Sequence, residues 1–264
     1  MAFSVATWNI NSVRLRIGNV ERFVTEASPD ILCLQETKTM DEFFPAEAFE
    51  RLGYRHRLIA GMKGYNGVAI LSRLPIETSE VRHWCGREDC RHGLARLASG
   101  IEIHNLYIPA GGDIPDPAAN EKFAHKLQFL DELTAWFEGV QDRGKTILVG
   151  DLNIAPLEHD VWSHKQLLGI VSHTPLEVEK LGRLQRSGGF ADAVRHFVPE
   201  DQKLYSWWSY RARDWDAADK GRRLDHVWVT PDLVPDLTSA EIMRSARGWE
   251  KASDHVPVMV TLGA

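Results

Sequence analysis

The chain has 264 residues, 44% of them hydrophobic and 26% charged, with a formal net charge of −6 from 37 acidic and 31 basic residues. That composition excludes a disordered or fibrous chain, and three cysteines argue against a disulfide framework and fit a reducing compartment. The acidic balance does not advertise a nucleic-acid partner, yet it does not exclude one: phosphate contacts need only a local basic strip, and carboxylates around a divalent cation carry their own counter-charge.

The opening MAFSVATWN has no basic leader and alternates apolar with polar letters, so it reads neither as a signal peptide nor as a membrane span; a cytoplasmic location is expected. Phe3 to Trp8 is predicted as a strand that exits at Asn9-Ile10-Asn11-Ser12, with two carboxamides on one side. Ser12 is the expected N-cap of a helix carrying Val13, Ile17, Val20, Phe23 and Val24 and closed before Pro29. Arg14 and Arg16 then fall in its first turn, where positive charge opposes the helix dipole unless an anion sits there; two solvated arginines are the alternative.

Asp30 to Gln35 reads as a buried strand that delivers Glu36, with Lys38 just beyond and Cys33 as a small core residue. After an amphipathic piece near Phe43 to Leu52, Tyr54 to Ala60 and Gly67 to Ser72 are predicted as paired strands. Their connection exposes Tyr65, which either lies against a sugar-phosphate chain or is an ordinary turn tyrosine. His83 to His92 holds two cysteines and two histidines, but the spacing matches no standard zinc finger, and the stretch reads as a loop. Ala95 to Ala98 and Ile101 to Tyr107 are predicted as a hairpin across Ser99-Gly100, with Tyr107 at a strand exit.

A connection from Ala110 to Pro117 precedes a helix over Asn120 to Glu138, with Phe123, Leu127, Leu130, Leu133 and Phe137 on one face. Next comes the most informative stretch, TILVGDLNIAP from Thr146 to Pro156. Its β-branched apolar run reads as a strand covered on both faces, Gly150 lets another backbone or a ligand approach, and Pro156 stops the ladder. If extended geometry persists past Gly150, Asp151 and Asn153 point to the same side. The same letters also suit an Asx-turn that merely ends a strand.

A helix near Leu176 to Arg186 sits in the least informative part of the chain. In LYSWWSYRARDW, Trp207, Trp208, Tyr210 and Trp215 interleave with Arg211 and Arg213, a pattern that suits stacking on bases or sugars and pairing with phosphates, or anchoring of a long loop. Gly221 to Thr230 is predicted as one strand opened by Arg222 and Arg223 and carrying Asp225. The last strand, Val256 to Leu262, follows Asp254-His255, and Asp225 is placed to orient that histidine. No linker divides these elements, so one domain spanning residues 1–264 is expected. Many strands with few crossover helices favour two packed sheets with helices outside.

Glu36, Asp151 and Asp254 with Asn9, Asn11 and Asn153 offer oxygen ligands, which suit magnesium or manganese and not zinc. A hard cation beside a carboxylate and a histidine is equipment for attack of water on a phosphate ester.

Eight strings resemble, in order and nearly end to end, the endonuclease/exonuclease/phosphatase superfamily, and within it the exonuclease III type of abasic-site endonuclease. They are WNINSVR from Trp8, LCLQETK from Leu32, GYNGVAILS from Gly64, NLYIPAG from Asn105, GDLNIAP from Gly150, YSWWSYR from Tyr205, RRLDHVWV from Arg222 and SDHVPV from Ser253. The resemblance implies an α+β fold, a four-layer α/β/β/α sandwich of two mixed sheets flanked by helices, with the site at one edge of both sheets. It implies a monomeric DNA repair nuclease that cuts duplex DNA 5′ to abasic sites, trims 3′ ends, and uses Mg²⁺ with Mn²⁺ as substitute. Carried over by position, Glu36 holds the metal with Asn9 and Asp254 nearby, and Asp151 orients or deprotonates the attacking water with help from Asn153; both also count among the metal-side residues. His255, held by Asp225, contacts the scissile phosphate, and Tyr107 stabilises charge on it. Trp207 and Leu224 line a pocket for the base-free sugar, with Asn11, Arg14, Tyr65 and Arg222 on the substrate side. The family carries a larger polar residue where Ala110 stands, and some relatives carry an aromatic at Arg222. The remaining readings are another phosphoesterase of the superfamily, acting on RNA, phosphoinositide or sphingomyelin, and a nucleic-acid binding regulator.

Overall fold

The computed structural model describes residues 2–140 and 144–263. Its strands are β1 (Phe3–Asn9), β2 (Ile31–Gln35), β3 (His56–Ala60), β4 (Val68–Ser72), β5 (Ile76–Trp84), β6 (Arg87–Leu97), β7 (Glu102–Tyr107) and β8 (Thr146–Asp151). They continue with β9 (Ala191–Asp192), β10 (Trp207–Trp208), β11 (Gly221–Arg222), β12 (Asp225–Val229), β13 (Leu237–Ile242) and β14 (Val258–Leu262). One six-stranded sheet has the order β13-β14-β1-β2-β4-β3 and the other β5-β6-β7-β8-β12-β9, while β10 and β11 pair beside them. The β1–β2 and β7–β8 pairs are parallel and their neighbours antiparallel, so both sheets are mixed.

The layers follow from the two-residue period of the strands. Val5, Ile31, Cys33 and Ile70 of the first sheet meet Ile103, Ile147, Val149 and Val227 of the second in a shared core. The intervening residues Ala6, Trp8, Leu32 and Leu34 turn outward onto Val20, Phe23 and Val24 of the helix Ile17–Ala27. On the far side Leu106, Leu148 and Trp228 pack against Leu130, Leu133 and Phe137 of the helix Glu121–Gly139 and against Leu181 and Leu184 of the helix Pro175–Ser187. The central strands β2, β4, β8 and β12 are buried on both faces, each large apolar side chain contributing about 1.5–3 kcal/mol. The result is the expected four-layer α/β/β/α sandwich. Among the described residues no helix is long and apolar enough to cross a membrane.

Four local expectations are corrected. Ser12 caps no helix: the helix starts at Ile17 after Arg16, with no side-chain cap. Ser12 N and Val13 N instead donate to Glu36 O and Thr37 O, so this segment extends the β1–β2 edge and Arg14 and Arg16 precede the helix. His83 to His92 is the turn of a long hairpin, β5 paired with β6, and not a loop. The predicted strand from Gly221 to Thr230 is broken at Arg223-Leu224, so that β11 pairs with β10 and β12 with β8. Finally β13, which carries no apolar alternation strong enough to read, closes one edge of the first sheet.

Candidate active site

The parallel pairs β1–β2 and β7–β8 end at the same edge of the sandwich, which brings Asn9, Glu36, Tyr107 and Asp151 together. Register fixes the neighbours: Tyr107 lies opposite Asp151 across β7–β8, and the antiparallel β12 starts with Asp225 opposite Asp151 on the other side. Gly150 makes this approach possible, since a Cβ there would lie 1.9 Å from Leu106 O, and its φ of +144° is one that other residues rarely adopt. Beneath the edge, Asn105 of the second sheet donates to Leu34 O and Ala69 O of the first at 3.0 and 2.9 Å. Gln35 returns a bond to Asn105 Oδ1 at 2.6 Å, so the two sheets are bolted together under the site. At the strand exits Asn11, Ser12, Glu36, Lys38 and Asn153 all have positive φ, a cost of about 1 kcal/mol or more each that the surrounding bonds hold in place.

Asp151 is 1% exposed and accepts from Asn9 Nδ2 at 2.9 Å, Asn153 N at 3.0 Å and Asn153 Nδ2 at 3.1 Å. Asn153 therefore joins Asp151, but by a left-handed turn (φ 55°) and not by continued strand geometry, and its backbone bond to Asp151 Oδ1 is the Asx-turn of the alternative reading. Its remaining Nδ2 bond goes to Ile108 O at 2.9 Å, which leaves Oδ1 uncommitted. Asn9 Nδ2 also donates to Glu36 Oε1 at 3.0 Å, bracing the two carboxylates. Glu36 accepts further from the Tyr107 hydroxyl at 2.6 Å and pairs with Lys38 Nζ at 2.5 Å. Burial opposes its charge, but Lys38 and these bonds prevail and hold its pKa below the ordinary value. Burial and the carboxylates of Glu36 and Asp151 push Tyr107 well above the ordinary tyrosine value, so it stays a phenol.

His255 sits 2.8 Å from Asp225 Oδ2 through Nδ1 and 3.6 Å from Asp151 Oδ2 through Nε2. The second distance is too long for a hydrogen bond, so the Nε2 proton is not used within the protein. Burial disfavours the imidazolium, but Asp225 and Asp151 outweigh it and raise the His255 pKa. Asp225 is fixed in turn by Ser206 Oγ at 2.6 Å. Asp254, one residue before the histidine, accepts from Asn11 Nδ2 at 3.2 Å and Trp207 Nε1 at 3.0 Å. Burial raises Asp151, the nearby Asp225 and Glu36 charges add to this, and His255 offsets only part of it.

Glu36, Tyr107, Asp151, Asn153, Asp254 and His255 line one cavity of about 850 Å³ together with Trp207, Arg222 and Leu224, and Trp207 stands directly beside the acids through its bond to Asp254. Asn9, Asn11 and Asp225 stand behind this lining as supports. Arg14 and Tyr65 are not brought to it: both are exposed, Tyr65 by 71%, and Arg14 lies over the Phe43 ring at 5.9 Å. Arg16 is buried and donates to Lys251 O and Tyr210 OH, a strut and not a solvated charge.

Sequence reading missed the residues that hold the walls. Lys126 is fully buried and donates to Asn153 O at 2.8 Å, Ala110 O at 3.3 Å and Glu177 Oε1 at 2.5 Å. Glu177 accepts from Ser172 N at 2.9 Å and from Thr174 Oγ1 at 2.7 Å, so one buried ion pair fixes three loops around the cavity. The available signal was a lysine at 126 inside the apolar stripe of its helix, a place that demands a partner.

Asp151, Asp225 and His255 form a buried group with ligand atoms within 4.8 Å of one another, able by position to hold a metal ion. Oxygen donors dominate here, and among the described residues the ion pairs that Glu36, Asp151 and Asp225 make within 4 Å are with Lys38 and His255, while Asp254 makes none. This surplus of negative charge fits a hard divalent cation.

The fold agrees with that of known proteins. A structure of an AP endonuclease from Archaeoglobus fulgidus superposes with a TM-score of 0.91 at 33% identity, covering 99% of this chain and 100% of that one. A 3′ phosphatase from Neisseria, solved with a product DNA hairpin, gives 0.91 at 29% identity and the same coverage. Exodeoxyribonuclease III of Haemophilus influenzae is 31% identical over 264 residues, 96% of this chain and 97% of the relative. The DNA repair nuclease APEX1 of Danio rerio is 29% identical over 98% of this chain and 81% of its own length. The model of the endonuclease/exonuclease/phosphatase family matches residues 6–255. With that match spanning both sheets and every strand exit of the site, the chain belongs to the endonuclease/exonuclease/phosphatase family.

Proposed function

We propose that this protein is a DNA repair nuclease, a single catalytic domain acting as a monomer in the cytoplasm. It hydrolyses the phosphodiester 5′ to abasic sites in duplex DNA and removes nucleotides or phosphate from 3′ ends. The observation that carries this reading is the cavity itself, in which a set of carboxylates and a histidine of raised pKa adjoins the apolar side chains of Trp207 and Leu224. The polar group suits a phosphate and the apolar patch beside it a sugar without its base.

In this reading Asp151 is the general base. Its raised pKa and its bonds from Asn9 and Asn153 fit a carboxylate that takes one proton from the attacking water. Water oxygen bonds to phosphorus, the bond to the 3′ oxygen breaks, and the products are a 3′-hydroxyl and a 5′-phosphate. His255 donates Nε2–H to a non-bridging oxygen, with Asp225 fixing the tautomer by accepting from Nδ1. Tyr107, whose single hydroxyl proton goes to Glu36 in the free protein, becomes a second donor at the phosphate by turning that proton from Glu36 to a phosphate oxygen. Glu36, with Asn9 and Asp254, is the seat for Mg²⁺, with Mn²⁺ as substitute; when bound, the ion neutralises charge developing on the phosphate. The Asp151–Asp225–His255 group is disfavoured as that seat, since an ion there would compete with the imidazolium already held between the two carboxylates.

A base-free sugar swings out of the duplex at little unstacking cost, whereas a normal nucleotide gives up stacking worth a few kcal/mol. The test compares one duplex carrying an abasic-site analogue with its unmodified twin, in magnesium and then with chelator. Incision of the first, 5′ to the lesion and only with metal, is expected. Equal cutting of both duplexes, or binding without any cutting, overturns the abasic-site assignment, and the second outcome favours a binding regulator.

A further inference from the structure

Arg222 and Arg223 are neighbours in sequence with opposite environments. Arg223 is 1% exposed and saturated by the carboxylates of Asp160 and Asp192. Arg222 is half-buried in the cavity wall, and its hydrogen bonds run only from Nη1 to neutral acceptors, Val171 O at 3.1 Å and Ser172 Oγ at 2.8 Å. Its Nε is buried without a partner, and its guanidinium lies 5.3 Å from the centre of the Trp207 ring. Two more cations line the same wall: Lys220, 4.5 Å from the Trp162 ring, and the exposed Arg211. Among the described residues none of the three forms an ion pair with a carboxylate within 4 Å, although Glu36, Asp151 and Asp254 line the same cavity. A half-buried guanidinium without a counter-ion is costly unless an anion arrives, and its fixed planar fork suits a phosphate.

We infer that Arg222, supported by Lys220 and Arg211, is a second phosphate subsite, which takes the phosphate on the 3′ side of the base-free sugar while the scissile phosphate lies at Asp151 and His255. The inference rests on the proposed abasic-site reading and deepens it. With the sugar against Trp207 and Leu224, the strand leaves the cavity past the stacked Arg222 guanidinium. The contact exists for an internal abasic site, which has a phosphate on both sides, and is absent for a terminal 3′-phosphate. Arg222 thereby biases the enzyme toward internal lesions over 3′ ends.

The test uses the full chain and two duplexes with the same abasic-site analogue, one with an ordinary phosphodiester on its 3′ side and one with an uncharged methylphosphonate at that linkage. Dissociation constants are measured in chelator and incision rates in magnesium. The parent protein is expected to bind the methylphosphonate duplex about tenfold more weakly, and Arg222→Gln to bind both duplexes equally and with a salt slope smaller by about 1. Equal affinity of the parent for the two duplexes overturns the subsite, as does an Arg222→Gln protein that still discriminates. The parent comparison needs no variant, so misfolding of Arg222→Gln leaves the inference testable. Loss of incision with the affinity difference intact strikes the proposed function and supports the subsite.

Discussion

Two buried acidic clusters flank the start of β12, and they are built on opposite principles. Behind the cavity, Asp160 and Asp192 meet Arg195 and Arg223, two carboxylates against two guanidiniums, and His226 beside them is held neutral. At the sheet edge four carboxylates, Glu36, Asp151, Asp225 and Asp254, have only Lys38 and His255 as ion-pair partners within 4 Å among the described residues. The histidines record the difference. Burial and Arg223 lower His226 to about 4, whereas Asp225 and Asp151 overcome burial and raise His255. Likewise, although burial opposes its charge, Arg223 holds Asp192 below the ordinary value, while Asp151 is raised. Balanced charge is what a structural cluster needs, because an unpaired buried charge destabilises by several kcal/mol. Surplus charge at the edge is tolerable only if something is bound there, and a divalent cation would both cancel it and draw the Asp151 pKa back down.

The largest effect should come from removing the surplus at its centre. Asp151→Asn is expected to lower single-turnover cleavage by roughly 10²–10⁴-fold, the range for loss of a general base, while affinity for abasic DNA holds or improves as repulsion of the phosphate falls. A normal single-turnover rate would remove Asp151 from the chemistry. A smaller and conditional effect is expected at Glu36. Glu36→Gln keeps an oxygen but loses its charge, so activity should fall steeply at low magnesium and recover in part as magnesium is raised. Superimposable magnesium titrations for parent and variant would show that Glu36 belongs to the scaffold.

The comparison also explains what was legible in the sequence. The strands β2, β4 and β8 could be read because burial on both faces demands unbroken apolar runs, and β1 because its letters alternate; β1, β2 and β8 lead directly into Asn9, Glu36 and Asp151. The edge strands β5 and β13 were missed because an exposed edge is written in polar letters such as Glu80 and Glu241, which protect it from pairing with another chain and erase the alternation. Ser12 misled because its backbone was needed against Glu36 and Thr37, and tertiary pairing overrode a good capping letter. The acids of the site were visible one by one, but the supports were not. Ser206 behind Asp225, the pair Lys126 and Glu177, and the Asn105 bolt acquire meaning only from contacts across long stretches of chain.

The smallest effect, and the one that isolates the balanced cluster, is on acid stability. His226 Nε2 lies 2.8 Å from Ile154 O, which can only accept, so the proton is on Nε2 and Nδ1 is bare. That Nδ1 is buried without a partner near Arg223, which is why protonation is resisted. The folded pKa of about 4 lies below the ordinary 6.5, so between these values the unfolded chain binds a proton that the folded chain refuses. Stability is therefore full above pH 6.5 and is lost as pH falls toward 4, by an amount on the order of 3 kcal/mol from this residue. His226→Gln keeps a donor for Ile154 but cannot take a proton. Urea midpoints measured from pH 7 to pH 4.5 should fall less for His226→Gln than for the parent, even if the variant starts from a lower value. The other buried histidines that burial lowers, His92, His104, His125 and His173, contribute to both proteins and cancel in the difference. Parallel pH profiles would mean that Asp160 and Asp192 accommodate a charged His226, and that the rear cluster is less strictly balanced than its two arginines suggest.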